Sequence, residues 1–168
     1  MSISMYQASV PVFQQQLTAL KGVLTKAESQ AVAMKASPAV LLEARLYPNM
    51  FPLTRQVQIA ADFAKGTSAR LAGLEPPVYP DTESSFAELV ARIDRTLEFL
   101  KTLRPVQIDG QEERTIDLKV GGQPRTFKGL PYLLHFALPN FFFHATTAYA
   151  ILRHNGIELG KQDFMGTA

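Results

Sequence analysis

The sequence contains no cysteine and only three histidines among its 168 residues. Without cysteine, the protein has no disulfide framework, no thiolate metal site and no cysteine nucleophile. Charge is also scarce, because charged residues make up 19% of the chain and 17 basic against 15 acidic residues leave a formal net charge of +2. Such a balance gives no broad attraction to a polyanion. Any metal or acid–base chemistry therefore depends on histidine, carboxylate and amide side chains.

Several motifs that define large enzyme classes are absent. The sequence has no GxxxxGK(S/T) phosphate-binding loop, no GxGxxG and no GxSxG, which argues against nucleotide hydrolysis and α/β-hydrolase chemistry. The basic residues are mixed with acidic ones and are not interleaved with aromatic residues, so nucleic-acid binding is not favoured. The N-terminal segment lacks the features of a secretory signal, and we expect a cytoplasmic protein.

Residues 129–152 contain no charged residue. The length of this stretch would suit a membrane-spanning helix, which needs about 20 mostly apolar residues. However, Pro131 and Pro139 interrupt it, and polar side chains such as Asn140 and His144 would need hydrogen-bonding partners in lipid. We therefore predict no membrane association and a helix buried within the protein, with its path divided at Pro139.

Apolar residues recur at spacings of three and four in four segments, which predicts four long helices. The first covers about residues 4–31, and Pro11 either kinks it or marks its effective start. The second begins after Pro52 and ends at Gly73. The fourth is the uncharged segment, which ends at Asn155 and the following glycine.

The third helix has the clearest start, because Ser85 and Glu88 have the spacing of a capping box. Its apolar residues continue at helical spacing to about residue 103. Glu88 and Arg92 are four residues apart, and we expect them to form a pair on the exposed face of this helix.

Residues 104–128 break the helical period. The residues from Thr115 to Val120 alternate strictly between polar and apolar, and two glycines follow them, which predicts a small β-hairpin inserted before the last helix. We therefore expect an all-α fold, a four-helix bundle with this hairpin insertion, in a single domain that covers residues 1–168.

Asn140 and His144 are four residues apart in the predicted fourth helix, so they share one face. Such a pair can bind one ligand: an imidazole nitrogen suits a transition metal, and an asparagine carbonyl suits a harder cation or an ordered water. The alternative is purely structural, with both side chains buried and hydrogen-bonded to each other, to Thr147 or to a neighbouring helix.

The second predicted helix carries polar residues beside its apolar face, among them Gln56 and Asp62. Asp62 is either a general base or metal ligand, or a solvated carboxylate that pairs with Arg55 or Lys65. Because a single carboxylate beside two cations usually forms an ion pair, we favour the pairing of Asp62 with Arg55 or Lys65.

Three runs of the sequence carry a resemblance to a known family: RLYPNMFPLTRQVQIAADFAK, LPNFFFHATTAYAILRHNG and GKQDFMG. They are similar to an uncharacterised bacterial branch of the DinB/YfiT-like superfamily of metalloenzymes, and the resemblance covers nearly the whole chain. It implies an up-down-down-up four-helix bundle, often dimeric. It also implies that better-known relatives bind a divalent metal through three histidines, and that some are thiol-dependent transferases or isomerases.

The metal ligands of that superfamily match this sequence only in part. The superfamily has one histidine near the second helix and an HxxxH pair on the last helix. The second histidine of the pair falls on His144 and the first on Asn140, while Asn49 or Gln56 is nearest to the helix-two histidine. The resemblance therefore implies a degenerate divalent-metal or small-ligand site at His144, Asn140 and Asn49.

Two functional interpretations stay open at this point. The first is a DinB-like enzyme or ligand-binding protein, in which His144 is a metal ligand or general base and any metal-dependent transferase activity rests on the resemblance alone. The second is a non-catalytic homodimeric bundle without metal, in which the polar residues of the fourth helix are structural. The apolar fourth helix favours a homodimer, and a small molecule is the other expected partner.

Overall fold

The computed structural model describes residues 3–166, so the first two and last two residues of the predicted 1–168 domain lie outside the described part of the chain. The structure is mostly helical with one small antiparallel hairpin, as the sequence predicts. In chain order the elements are α1 (Val10–Ala33), α2 (Pro38–Glu43), α3 (Leu53–Leu71), α4 (Phe86–Lys101), α5 (Pro105–Ile108), β1 (Thr115–Val120), β2 (Gln123–Lys128), α6 (Gly129–Pro131), a π-helical segment (Tyr132–Ala137), α7 (Leu138–His154) and α8 (Lys161–Met165).

The ends of α1 and α3 follow from proline and glycine. Helix α1 begins at Val10 rather than near residue 4, with Pro11 in its first turn. Proline suits that position because the first-turn N–H groups have no partner within the helix. Helix α3 ends before Gly73, whose φ of 73° is the left-handed conformation that glycine adopts readily after a helix.

Helix α4 begins where the sequence predicts, but one of its side chains does not point to solvent. The hydroxyl of Ser85 accepts a hydrogen bond from the backbone N–H of Glu88 at 3.2 Å. The carboxylate of Glu88 reaches the backbone N–H of Ser84 instead of Arg92. The predicted exposed Glu88–Arg92 pair is therefore wrong, because the Arg92 side chain is 1% exposed and contacts carboxylates outside α4.

Residues 129–154 are helical throughout, and the predicted division at Pro139 corresponds to the point where the π-helical segment ends and α7 begins, at Leu138. Proline lacks the N–H that would bond to the carbonyl four residues earlier. The π-helical segment directly before Pro139 changes the hydrogen-bond spacing to five residues, which accommodates the missing donor. The helix ends at Asn155, as predicted, and Gly156 has a φ of 88°.

The core lies between the long helices. Helix α3 packs against α7 and α4, and α1 packs against α4 and α7. The rings of Phe13 and Phe141 meet edge to face at 4.8 Å and join α1 to α7. The short helix α8, which the apolar spacing does not reveal, packs on α1 through a hydrogen bond from the Gln16 amide to the Phe164 carbonyl.

The hairpin lies beside the π-helical segment. Strands β1 and β2 pair antiparallel, with Thr115 opposite Lys128 and Val120 opposite Gln123. The ring of Phe127 on β2 lies 5.1 Å from that of Phe136 on the π-helical segment. Among the described residues, no helix has the length and apolar character needed to cross a membrane.

Candidate ligand-binding site

His144 on α7 is hydrogen-bonded to Gln56 on α3, with 2.7 Å between Nδ1 and Oε1. The amide nitrogen of Gln56 donates to the carbonyl of Phe51 at 3.0 Å, so Oε1 is the atom that faces the imidazole. An amide oxygen can only accept, and Nδ1 of His144 must therefore carry the proton and donate it. Nε2 keeps its lone pair.

The surroundings of His144 keep its imidazole neutral. Burial, together with the positive charge of Arg55, lowers the pKa of His144 to about 4, because an apolar environment disfavours the charged form. The ring of Phe63 is stacked on the imidazole with 6.1 Å between centroids, and Phe143 meets it edge-on at 5.2 Å. At neutral pH His144 is an uncharged ring among aromatic side chains.

The three residues of the sequence-predicted site have different surroundings. The amide nitrogen of Asn140 donates to the carbonyl of Phe136 one turn earlier, at 2.7 Å. Asn49 is exposed in the segment between α2 and α3, and in the described chain no hydrogen bond links it to Asn140 or His144. Gln56, not Asn49, is the α3-side residue in contact with His144. Metal ligation by His144, Asn140 and Asn49 stays a prediction.

The donors around His144 are poorly suited to the degenerate divalent-metal site that the resemblance implies. Within residues 3–166 no three His, Asp or Glu side chains are grouped so as to hold a metal ion. The oxygen of Gln56 is already used by His144, and Arg55 adds positive charge to the same surroundings. A divalent cation needs several deprotonated nitrogen or oxygen ligands, and a neighbouring cation opposes it.

A cavity of about 380 Å³ lies next to these residues, between α3, the π-helical segment and the hairpin. Three aromatic side chains, Phe63, Tyr132 and Phe136, form part of its wall, and Asn140 also lines it. Phe63 contacts both the cavity and the imidazole, whereas His144 itself is not part of the wall. The volume lies within the range of small-molecule sites, about 300–1,000 Å³.

A network of charged side chains lies beside the cavity and connects α3, α4 and the segment between them. Its cations and carboxylates are equal in number: Arg55, Lys65 and Arg92 face Asp62, Asp81 and Glu83. Because every charge in it has a partner of opposite sign, the network as a whole is neutral.

Arg92 is the centre of this network. Its guanidinium lies 2.9 Å from a carboxylate oxygen of each of Asp62, Asp81 and Glu83. Burial by itself raises the pKa of Glu83, but hydrogen bonds from Arg92 and Gln58 outweigh it, so the pKa is lower than usual. Asp62 also pairs with Lys65 at 2.9 Å. The expected ion pair of Asp62 is present, and Arg92 is a partner that the sequence did not indicate.

Two cations of the cavity wall lie outside this network, the exposed Lys119 and the half-buried Arg70. Arg70 is the less exposed of the two. No carboxylate pairs with it in the described chain. Its Nη1 donates to the hydroxyl of Tyr132 at 3.3 Å, and the same hydroxyl lies 3.4 Å from Oγ1 of Thr67. A Cβ atom added at Gly66 would stand 2.6 Å from Nη1, so the guanidinium lies directly over this glycine.

Arg70 and Tyr132 line the cavity but are not among the site residues that the sequence predicted. One signal was available: Gly66 stands inside a helix, where glycine costs about 1 kcal/mol relative to alanine, and Arg70 follows it one turn later. The contribution of the hairpin to the wall, through residues such as Leu118 and Lys119, depends on contacts far apart in sequence and gave no local signal.

The mostly helical fold with its small hairpin is similar to that of a solved DinB-like protein. A crystal structure described as that of a DinB family member protein from Shewanella denitrificans matches with a TM-score of 0.88 and 38% sequence identity, over 97% of this chain and 92% of that chain. The model of DUF1993, a domain of unknown function, matches residues 5–165. The chain belongs to the DUF1993 family, which confirms the resemblance seen in the sequence. No curated protein matches it.

Proposed function

We propose that the protein binds a small organic molecule in the cavity between α3, the π-helical segment and the hairpin. The observation that supports this most directly is the make-up of the wall, in which Phe63, Tyr132 and Phe136 stand beside a few polar groups. Small-molecule sites are usually apolar and aromatic, with a small number of polar groups that orient the ligand. The only carboxylate among the described lining residues, Asp62, is already paired.

In this proposal Asn140 contacts the ligand and His144 positions the wall. The amide nitrogen of Asn140 is bonded to the backbone, so its Oδ1 is the atom that can accept a hydrogen bond from a ligand. His144 holds Phe63 by stacking and is itself held by Gln56. The proposal is one of binding without a metal, because the donor set around His144 does not suit a divalent cation.

A variant that fills the cavity tests the proposal. Ile59 lines the cavity and is only partly buried, so Ile59→Trp can occupy the space without displacing the core. We expect 3-phenylpropanol, a neutral probe, to shift the amide resonances of Leu118 and Phe136 in the wild-type chain and not in the variant. Val40→Trp is the matched control, because Val40 is exposed on α2 and does not line the cavity. A wild-type chain that shows no shifts would overturn the proposal.

A homodimeric bundle, the second candidate, is favoured by a separate apolar groove of about 410 Å³. Its lining residues carry no charge: Leu46, Phe142, Phe143, Thr146, Thr147 and Ala150. Phe143 is 55% exposed. Two copies that met here about a two-fold axis would bury apolar surface without facing like charges. Light scattering should then give a dimer mass for the wild-type chain and a monomer mass for Phe143→Glu, whereas a monomeric wild type at all concentrations contradicts it.

We also infer that α1, α3, α4 and the helix of residues 129–154 form an up-down-down-up bundle. The packing of α1 on α4 and of α3 on both α4 and α7 supports it. Distances between spin labels at the exposed ends of these helices would test the four directions.

A further inference from the structure

Building on the proposed cavity, we infer that its ligand is a monocarboxylate, with the carboxylate bound to the guanidinium of Arg70 and an apolar body against Phe63 and Phe136. Arg55, the other arginine of the wall, is paired with Asp81. Asp62 is shared between Lys65 and Arg92. These pairs leave Arg70 as the arginine of the wall that has no counter-charge among residues 3–166.

The surroundings of Arg70 favour an anion. Its one polar contact in the described chain is the hydroxyl of Tyr132, which cannot neutralise it. Arg70 is half-buried, so its charge is partly removed from water. A ligand carboxylate supplies the opposite charge, and an ion pair in a half-buried place is stronger than one in bulk water.

The geometry of Arg70 suits a carboxylate in particular. A guanidinium has five N–H donors in a planar fork, and the contact with Tyr132 uses one of them. The free donors match the two oxygens of a carboxylate. Gly66 makes this orientation available, because a side chain there would displace the guanidinium from its place over α3.

The remaining polar groups limit the ligand to a single acid function. Asp81 already neutralises Arg55. Lys119 is exposed at the rim, where an ion pair contributes little, so a second anionic group would gain little there. Apart from the paired Asp62, the rest of the wall is mainly aromatic or aliphatic, with Asn140 as an acceptor. An aryl-alkyl or alkyl monocarboxylate combines these features.

Two probes of equal shape test the inference: 3-phenylpropanoate and its neutral amide, 3-phenylpropanamide. Each is titrated into the isotope-labelled full chain at low ionic strength and followed by amide chemical shifts. We expect the carboxylate to bind about tenfold more tightly than the amide, or better, as hydrogen bonds to a charged group allow. Arg70→Gln should lower carboxylate affinity to that of the amide and leave amide affinity unchanged. Arg153→Gln is the control, because Arg153 is exposed at the end of α7 and does not line the cavity.

Gly66→Ala tests the same inference without removing a charge. The new Cβ displaces the guanidinium of Arg70, which is the end of a flexible side chain, so the preference for the carboxylate should fall, but by less than in Arg70→Gln. Alanine is also the better helix former, and the melting temperature should not fall. A loss of preference together with an unchanged or higher melting temperature separates an effect on Arg70 from misfolding.

The possible results separate this inference from the proposed function. If carboxylate and amide bind equally well in the wild-type chain, the carboxylate inference is wrong and the cavity proposal stands. If inorganic phosphate binds as tightly as the carboxylate and also depends on Arg70, the monocarboxylate assignment is wrong. If neither organic probe binds, or if Ile59→Trp does not weaken binding, both the inference and the proposed function are overturned.

Discussion

Nδ1 of His144 donates a hydrogen bond to Oε1 of Gln56 across 2.7 Å, and this bond joins α7 to α3. The resemblance in sequence implies that Gln56 is one of the two residues nearest to the helix-two histidine of the DinB-like superfamily, and that His144 matches the second histidine of its last-helix pair. An amide–imidazole bond therefore stands where the resemblance implies metal ligands. The bond should therefore stabilise the protein, and the wild-type chain should bind little transition metal.

Gln56→Leu should destabilise the protein by about 1 kcal/mol, because it removes the hydrogen bond to the half-buried Nδ1–H of His144. Urea denaturation measures the loss. Gln162→Leu, at an exposed residue of α8, is the control and should change the free energy of unfolding by less than about 0.5 kcal/mol. Imidazole nitrogen shifts provide a second check, and a wild-type His144 that carries its proton on Nε2 would contradict the assignment of the hydrogen bond.

Metal content should separate the wild-type chain from a variant that restores histidines. Elemental analysis of the untagged protein should find less than about a tenth of an equivalent of transition metal, because a true site binds stoichiometrically. Gln56→His combined with Asn140→His supplies two more imidazoles beside His144 and should bring zinc binding close to one equivalent. One equivalent in the wild type that is lost in His144→Ala would instead support the predicted site at His144, Asn140 and Asn49.

Stability should decrease as the pH falls from about 6.5 to about 4, the two pKa values of His144 in the unfolded and folded chain. In this window the unfolded chain binds a proton that the folded chain does not, so the free energy of unfolding rises with pH. Allowing for the partial exposure of the ring, the loss on acidification is about 2 kcal/mol. Above pH 6.5 His144 contributes no pH dependence.

The variant His144→Gln isolates this contribution, since it keeps a polar side chain that does not titrate. Its free energy of unfolding should change less between pH 6.5 and pH 4 than that of the wild type, measured by urea denaturation at each pH. Parallel curves for the two proteins would show that the pKa of His144 is not lowered. Arg55→Gln should raise the pKa of His144, as read from its imidazole resonances, because Arg55 is the second cause of the shift.

Arg92→Ala should cost about 1–3 kcal/mol, because Asp62, Asp81 and Glu83 lose their shared cation. Asp62 keeps Lys65 and Asp81 keeps Arg55, and both carboxylates are partly exposed, so the loss is smaller than for a fully buried charge. The fall in the denaturation midpoint measures this. Lys101→Ala removes an exposed pair with Glu98, and its effect should stay below about 0.5 kcal/mol. If the two variants lost equal stability, the buried network would have no special role.

Local patterns in the sequence predicted the four long helices and the hairpin. Helical spacing of apolar residues located α1, α3, α4 and the last long helix, and the alternation before two glycines located β1 and β2. These are local signals, because a helix or strand buries one face whatever covers it. The same local runs of residues were sufficient to identify the DinB-like family.

Which polar side chains meet depends on how the helices pack, and this could not be predicted from local sequence patterns. Gln56 and His144 are 88 positions apart, Arg70 and Tyr132 are 62 apart, and Asp62 and Arg92 are 30 apart. Periodicity places a residue on one face of its own helix but does not identify the element that packs there. Arg92 therefore had the sequence pattern of an exposed helical residue, although in the structure carboxylates from α3 and from the segment before α4 surround it. The cavity likewise depends on packing, because its wall is formed by α3, the π-helical segment and the hairpin together.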